Sequence, residues 1–283
     1  MMVLAAALGL VMGLVIGALG GGGGVLTVPL LVYVLGLTAQ SATTSSIIIV
    51  GITALFGTLA RLRGKLIDWR TGLIFGVLGI PAAYLGTLLN HAVEQRVLLL
   101  AFATITIVAA IAMLLNNRSG APEPDIMPGD PGSPGSASGA ATSTTSRTAA
   151  QVATQRHQLL ATAAKVVLSG LIVGFMTGFL GVGGGFLVVP ALVIILRVPM
   201  TYAIGTSLLI ITLNSVSSMA SRLGSPLHLD WRIVVPFTLL AVVGSLLGKR
   251  VADKCSGDAL TKAFAVMLIL VGGYVAAQTL GVL

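Results

Sequence analysis

Several long stretches of the chain carry no charged residue, and this feature limits the possible folds more than any other. Asp, Glu, Lys and Arg are all absent from 71–93, 97–117, 166–196, 198–221, 233–248 and 263–283. About 20 apolar residues in succession are enough for a helix to span the hydrocarbon core of a bilayer. These stretches are apolar on every face, whereas the strands of membrane barrels alternate apolar and polar residues. The sequence therefore predicts an all-α polytopic membrane protein.

Composition argues against several other classes. Only 8% of the residues are charged, against about 25% in soluble domains. The net charge of +8 comes from basic residues in short loops without interleaved aromatics, so no nucleic-acid partner is expected. The single cysteine, Cys255, and the scattered His91, His157 and His228 do not have metal-ligand spacing. No metal and no cofactor are predicted.

Residues 116–160 differ from the rest of the chain. They contain five of the eleven prolines, amid many Gly, Ser and Thr residues. Such a segment buries too little apolar surface to fold. We therefore predict a disordered cytoplasmic linker at 116–160, between a first transmembrane repeat at 1–115 and a second at 161–283.

The parts on either side of this linker repeat each other. Residues 17–29 read GALGGGGGVLTVP, and residues 178–190 read GFLGVGGGFLVVP, with nine of thirteen positions identical. The only two tryptophans, Trp69 and Trp231, both lie in an Asp-Trp-Arg sequence at corresponding positions. Two such matches in the same order predict an internal duplication.

Each repeat contains five apolar segments. They lie at about 3–19, 25–37, 41–60, 71–90 and 97–115, and again at about 163–180, 186–198, 203–221, 233–248 and 263–281. The second segment of each repeat, if helical, reaches only about 20 Å, which is less than the ~30 Å hydrocarbon core. We predict that these two segments are half-length or re-entrant.

The basic residues of the loops set the predicted orientation. In the first repeat they follow the third segment, from Arg61 to Arg70, whereas in the second repeat they surround the turn after the fourth, at 249–262. By the positive-inside rule the two repeats should have opposite orientations. The sequence thus predicts inverted repeats, which recur in secondary transporters, with the linker in the cytoplasm and both termini outside. No positively charged region precedes the first apolar run, so no cleaved signal peptide is expected.

The glycine runs Gly20–Gly24 and Gly181–Gly185 are the most informative motif. Five glycines in succession in the first run, and four glycines among five residues in the second, are not expected to hold a regular helix, so the chain should break there. Free N–H groups at the start of the following helix would bind an anion, helped by the helix dipole. The candidate ligands are Gly22, Gly23, Gly24, Gly183, Gly184 and Gly185. The alternative is that the glycines only permit close helix packing.

A hydroxyl-rich stretch opens the third segment of each repeat, at 41–46 and at 203–207. Hydroxyls donate to an oxyanion without placing a full charge in the membrane. The candidate ligands are Ser45, Ser46, Thr206 and Ser207. Alternatively, these side chains cap helices or bond to the preceding turn. Asn214, deeper in the eighth segment, is a further candidate, although interhelical hydrogen bonding is its more usual role.

Charged residues near the segment ends are interpreted as structural. Arg61 and Arg222 occupy equivalent positions and either draw anions into a vestibule or anchor the helix by extending to the interface, and we favour the anchor. The two Asp-Trp-Arg motifs should cap helices at the interface. No Asp, Glu or His lies deep in an apolar segment, and enzyme sites need such groups, so no enzyme is predicted.

The duplicated pattern G-x-G-G-G-x-x-x-x-P at 20–29 and 181–190, followed by A-x-x-T/S-S at 42–46 and 203–207, resembles the TauE/SafE sulfite exporter family of membrane transporters. The resemblance covers the chain except 116–160, and the family's central loop is more compact. It implies export of sulfite or an organosulfonate such as sulfoacetate across a bacterial inner membrane, with the anion near the glycines and hydroxyls named above.

Three functions are compatible with the sequence. The favoured one is a secondary transporter, in which one repeat rocks against the other around a small anion. The alternatives are an anion channel and a non-transporting accessory subunit that docks through the linker. The expected partners are the small anionic substrate and the lipid bilayer, and homo-oligomerisation is left open.

Overall fold

The computed structural model describes residues 2–90, 93–118, 149–180, 185–220 and 229–280, and all regular structure within them is helical. The first repeat contains α1 (Met2–Leu19), α2 (Gly22–Pro29), α3 (Ala39–Leu62), α4 (Trp69–Asn90) and α5 (Gln95–Arg118). The second contains α6 (Ala149–Leu180), α7 (Val188–Pro190), α8 (Met200–Ala220), α9 (Trp231–Ala252) and α10 (Gly257–Leu280). A π-helical segment continues α2 at Leu30–Val34 and α7 at Ala191–Ile195.

Each of these helices overlaps one of the ten predicted apolar segments, and α6 begins well before its segment. In the described part of the chain, α1, α3, α5, α8, α9 and α10 are long and apolar enough to cross a membrane. Large apolar side chains such as Val3, Leu168 and Leu270 are more than half exposed, which suits contact with lipid rather than with water. The prediction of an all-α polytopic membrane protein is confirmed.

The predicted limits of the linker are wrong at both ends. Residues 116–118 complete α5, and residues 149–160 form the first turns of α6. The last proline of this region is Pro134, and the sequence AAQVATQRHQLL at 149–160 is rich in good helix formers. Composition averaged over 45 residues concealed this change. Residues 119–148 lie outside the described residues.

Two pairs of helices pack with their backbones in contact. Each pair contains one helix from the first repeat and one from the second. Three glycines of α1, four residues apart, lie against α9: Gly9 against Phe237, Gly13 against Ala241 and Gly17 against Ser245. A Cβ atom at any of the three would overlap the α9 backbone. Small residues at this spacing allow membrane helices to approach closely. Because the residue numbers increase together, α1 and α9 run parallel.

The second pair repeats this arrangement with the equivalent helices. In α6, Gly174 lies against Gly79 and Gly178 lies against Ala83 of α4, again too close for a Cβ atom. We call the α1–α9 and α4–α6 contacts the two glycine seams. Each seam ties a helix of one repeat to a helix of the other, so the two repeats interlock.

The equivalent helices α3 and α8 pack against each other in the centre. A Cβ atom on Gly51 would meet Ser215, and one on Gly57 would meet Leu208. Along this contact the residue numbers of α3 rise while those of α8 fall, so the two helices run antiparallel. The helices α5 and α10, which are also equivalent, pack together at one side.

Candidate functional site

The first glycine run turns the chain back on itself. Helix α1 ends at Leu19 and α2 begins at Gly22. Between them, Gly20 has φ of +79°, a left-handed conformation that favours glycine. A Cβ atom on Gly23 would lie 3.2 Å from the backbone nitrogen of Ile16, so α2 returns alongside α1. The two helices form the α1–α2 hairpin, with Gly20 and Gly21 at its tip.

The two glycine runs meet inside the protein. A Cβ atom on Gly21 would overlap the backbone of Gly185, and one on Gly185 would lie 3.1 Å from the carbonyl oxygen of Gly21. Beside this contact, Gly24 faces Val50 in the middle of α3. The hairpin tip therefore lies next to the α3–α8 crossing rather than at a surface. Gly183 and Gly184 lie outside the described residues.

The helix breaks within the first glycine run, as predicted, although the glycines at 22–24 already form the first turn of α2. The break is confined to Gly20 and Gly21. At this turn the hydroxyl of Thr27 donates to the carbonyl of Gly23 at 2.9 Å, and Ile16 leaves no room for a side chain on Gly23. The first four N–H groups of a helix have no partner within it, and the N-cap Gly21 offers no side chain. The tip thus presents backbone donors at the positive end of a helix dipole.

The hydroxyls of Ser46 and Ser207 are engaged with their own helices. Ser46 donates to the carbonyl of Thr43 at 2.8 Å, and Ser207 donates to that of Ile204 at 2.8 Å. Ser207 also lies against Gly20, where a Cβ atom would be 2.6 Å from its hydroxyl oxygen. The structure thus brings Ser207 to the tip of the opposite repeat. Each hydroxyl would have to rotate to donate to a ligand.

Thr206 and Ser45 are equivalent but differently bonded. The Thr206 hydroxyl accepts the backbone N–H of Asp68 at 3.1 Å and ties the α3–α4 connection to α8. Ser45 is fully buried, and its hydroxyl has no hydrogen-bond partner in the described structure. It lies on the face of α3 that carries Ala42 and Ile49, which pack with residues of α1 and α2. An unpaired buried hydroxyl costs about 1–3 kcal/mol, and Ser45 retains a free donor inside the protein.

Asn214 lies near the centre of the bundle. It is half-buried in α8, next to Ser215, which faces Gly51 at the α3–α8 crossing. The sequence identified this position by its amide within an apolar run. The structure places it on the same crossing as the hairpin tip, without a described contact to the glycines.

Arg61 is buried, so its interpretation as an interfacial anchor is wrong. Its side chain is at the last turn of α3 and is 2% exposed. The guanidinium donates to the carbonyl of Gly17 in α1 and to that of Gly57 at 3.3 Å. Side chains of a helix incline toward its N-terminus, which turns Arg61 into the protein. Its equivalent, Arg222, lies outside the described residues.

The two Asp-Trp-Arg motifs begin helices, as predicted. Asp68 accepts the backbone N–H of Thr71 at 3.1 Å and its hydroxyl at 2.6 Å. Asp230 is the N-cap of α9 and accepts the backbone N–H of Arg232 at 3.1 Å. The prediction that their aspartates cap the following helices is confirmed.

A cavity of about 880 Å³ lies beside the hairpin, between α2, α5 and α10. Its lining extends from the exposed Tyr33 and Tyr274 to Val25, in the first turn of α2, and Leu180, next to the second glycine run. Apart from the hydroxyls of the two tyrosines and of Thr43, the lining side chains are apolar. The cavity reaches the hairpin from the protein surface. Sequence motifs gave no sign of it, because the side chains that α5 and α10 supply are apolar except for Tyr274.

The chain is similar throughout its length to known membrane proteins. The family model described as "Sulfite exporter TauE/SafE" matches residues 5–275. A probable membrane transporter protein of Xylella fastidiosa (strain 9a5c) is 30% identical over 268 residues, 93% of this chain and 90% of the relative. The probable membrane transporter protein YunE of Bacillus subtilis (strain 168) is 26% identical over 272 residues, 94% of this chain and 93% of the relative. No solved structure matches the chain significantly.

Proposed function

The chain belongs to the sulfite exporter TauE/SafE family, a family of membrane transporters, and from this premise we propose that it exports a small oxyanion. The proposed substrate is sulfite or an organosulfonate such as sulfoacetate, carried across a bacterial inner membrane. The observation that carries the proposal is the contact of the two glycine runs at Gly21 and Gly185. It supports a single binding region, built from both repeats, deep in the bundle.

The proposed binding chemistry uses backbone donors. An anion at the tip of the α1–α2 hairpin receives hydrogen bonds from the free N–H groups of Gly22, Gly23 and Gly24 and from the unpaired hydroxyl of Ser45. Helix N-termini suit this task because they combine free donors with the positive end of the helix dipole. Hydrogen bonds to a charged acceptor are about twice as strong as neutral ones. These hydrogen bonds replace those that the anion loses when it leaves water.

Inverted repeats form part of the proposal. Their support is the antiparallel packing of α3 and α8, which are equivalent in sequence. The α3–α4 and α9–α10 connections lie at one end of the bundle, since Asp68 bonds to Thr206 and Gly257 packs against Met200, both in the first half of α8. The basic residues at this end include Arg63, Lys65, Arg70, Lys249, Arg250, Lys254 and Lys262. The positive-inside rule assigns this end to the cytoplasm.

The cavity then opens away from the cytoplasm. Tyr33 precedes α3, Val93 follows α4 and Tyr274 is near the end of α10, so all three lie toward the end opposite to the basic connections. We propose that this conformation is open to the outside. The cavity extends from the side on which an exported anion leaves to Val25 in the first turn of α2.

The glycine seams change the proposed motion. Rocking of one sequence repeat against the other would pull α1 from α9 and α6 from α4, where backbones touch. We propose instead that the α1–α2 hairpin moves with α9, and that α6 and α7 move with α4. The surface between these two bodies would open and close around the anion.

Flux in reconstituted vesicles tests the proposed function. Purified protein in liposomes is loaded with unlabelled sulfite, and uptake of labelled sulfite is measured with sulfate, sulfoacetate and acetate as competitors. A carrier gives saturable counter-transport, with competition by the anions that it accepts. Absence of flux for every anion would refute the proposal. Currents that do not saturate would instead identify a channel.

A further inference from the structure

The tip of the α1–α2 hairpin combines two opposite dipole ends. Helix α1 ends at Leu19 and α2 begins at Gly22. A helix carries roughly half a positive charge at its N-terminus and half a negative charge at its C-terminus. Side by side, the two ends largely cancel for an approaching anion. Something further must neutralise the α1 end if the tip is to attract a negative charge.

Arg61 is placed at the α1 end. Its guanidinium donates to the carbonyl of Gly17, which is one of the last four carbonyls of α1 and has no partner within the helix. The side chain is buried, and the ion pair that the described structure contains, Lys249–Asp253, does not include Arg61. The direct hydrogen bonds of Arg61 thus go to carbonyl oxygens, while the Asp253 carboxylate, which pairs with Lys249, attracts its charge at longer range.

We propose that Arg61 is a positioning residue that makes the hairpin tip selective for anions. Its charge neutralises the C-terminal end of α1, so that the positive end of α2 dominates at the tip. Arg61 does this through the α1 carbonyls, without contact with the substrate. The proposal rests on the proposed function, since it assumes that the tip binds the transported anion.

A purely structural role does not account for the charge. A neutral amide could also donate to the carbonyl of Gly17, and taking a guanidinium out of water is unfavourable unless its charge is compensated. If the role of Arg61 were only structural, Arg61→Lys and Arg61→Gln would both lose transport, each to the extent that it loses thermal stability. If the charge of Arg61 matters, Arg61→Lys should keep the affinity for the anion and Arg61→Gln should lower it.

The experiment compares sulfite counter-transport by the wild type, R61K and R61Q, together with the thermal stability of each purified protein. R63Q is the matched control, because Arg63 is an exposed arginine at the same end of α3. We expect the half-saturating sulfite concentration to rise by about 5- to 30-fold in R61Q, with a smaller change in maximal flux. R61K and R63Q should stay near the wild type. An unchanged half-saturating concentration in R61Q would overturn the proposal.

A second variant keeps the test decisive if R61Q does not fold. R61H carries a charge that depends on pH. Its half-saturating sulfite concentration is measured between pH 5 and pH 8, and each value is divided by the wild-type value at the same pH. We expect the ratio to rise with pH, as the imidazolium loses its proton, and a ratio independent of pH would overturn the proposal. The wild-type measurement distinguishes failure of the proposed function from failure of the proposed role of Arg61. If the wild type shows no anion flux, the proposed function itself is wrong.

Discussion

Replacement of Gly21 by alanine introduces one methyl group at the contact of the two glycine runs. The added Cβ atom would overlap the backbone of Gly185, whereas a real Cβ atom is essentially never closer than 3.0 Å to such an atom. Backbone cannot rotate away as a side chain can, so the hairpin tip must move from the second run. Overpacking of this kind costs about 1–3 kcal/mol. The variant should still insert into the membrane, with a reduced thermal stability.

The effect on transport should be larger than the effect on stability. A displaced tip lengthens the hydrogen bonds from the first turn of α2 to the anion, and a hydrogen bond to a charged group contributes about 1.5–3 kcal/mol. Loss of one such bond raises the half-saturating concentration of sulfite by about 10- to 100-fold. The assay is sulfite counter-transport in liposomes at equal protein content, with the apparent unfolding temperature measured on the same preparations.

Gly273→Ala is the matched control for this variant. Gly273 lies in α10, is exposed, and has no atom within 4 Å of the position of an added Cβ. It should retain wild-type flux and stability. Wild-type affinity and stability in Gly21→Ala would refute the reasoning, because the two runs would then not need to touch.

Three further predictions address the seams, the hydroxyl donor and the orientation. Gly13→Val places a branched side chain against the backbone of Ala241 and should lower the apparent unfolding temperature by several degrees, at about 2–4 °C per kcal/mol; an unchanged value would show that the α1–α9 contact is dispensable. Ser45→Ala removes an unpaired hydroxyl, so it should keep stability while the half-saturating sulfite concentration rises about fivefold; unchanged affinity would exclude Ser45 as a ligand. Cys255, the single cysteine and exposed in the α9–α10 turn, should react with an impermeant maleimide in inside-out vesicles but not in intact cells, and the opposite labelling would reverse the proposed orientation.

Except for α6, which begins at Ala149 rather than near residue 163, the long helices could be predicted from the sequence to within a few residues. Membrane spans are delimited by where charge begins, and the charge-free stretches mark those limits directly. The short second segment of each repeat was also predictable, because 25–37 is too short for a complete crossing. The helical first turn at 22–24 was not, since the contacts of Gly23 and Thr27 outweigh the poor helix propensity of glycine.

The contacts between the repeats could not be predicted in the same way. The spacing of Gly9, Gly13 and Gly17 is visible in the sequence and indicates a close helix contact, but spacing does not identify the partner helix. Arg61 shows a similar limit. An arginine at the end of an apolar segment can extend to the interface or fold back into the protein, and the carbonyl of Gly17 that receives it is 44 residues away in the chain.

The glycine seams also bear on how such a chain could have arisen. Each repeat contains one helix lined with closely packed glycines and one helix of the kind that packs against such glycines. Neither helix finds its packing partner within its own repeat. A protein with a single copy of the repeat could bury both surfaces only by pairing with a second, identical chain. Two such subunits would reproduce the α1–α9 and α4–α6 contacts together, so gene fusion would have joined partners that already fitted each other.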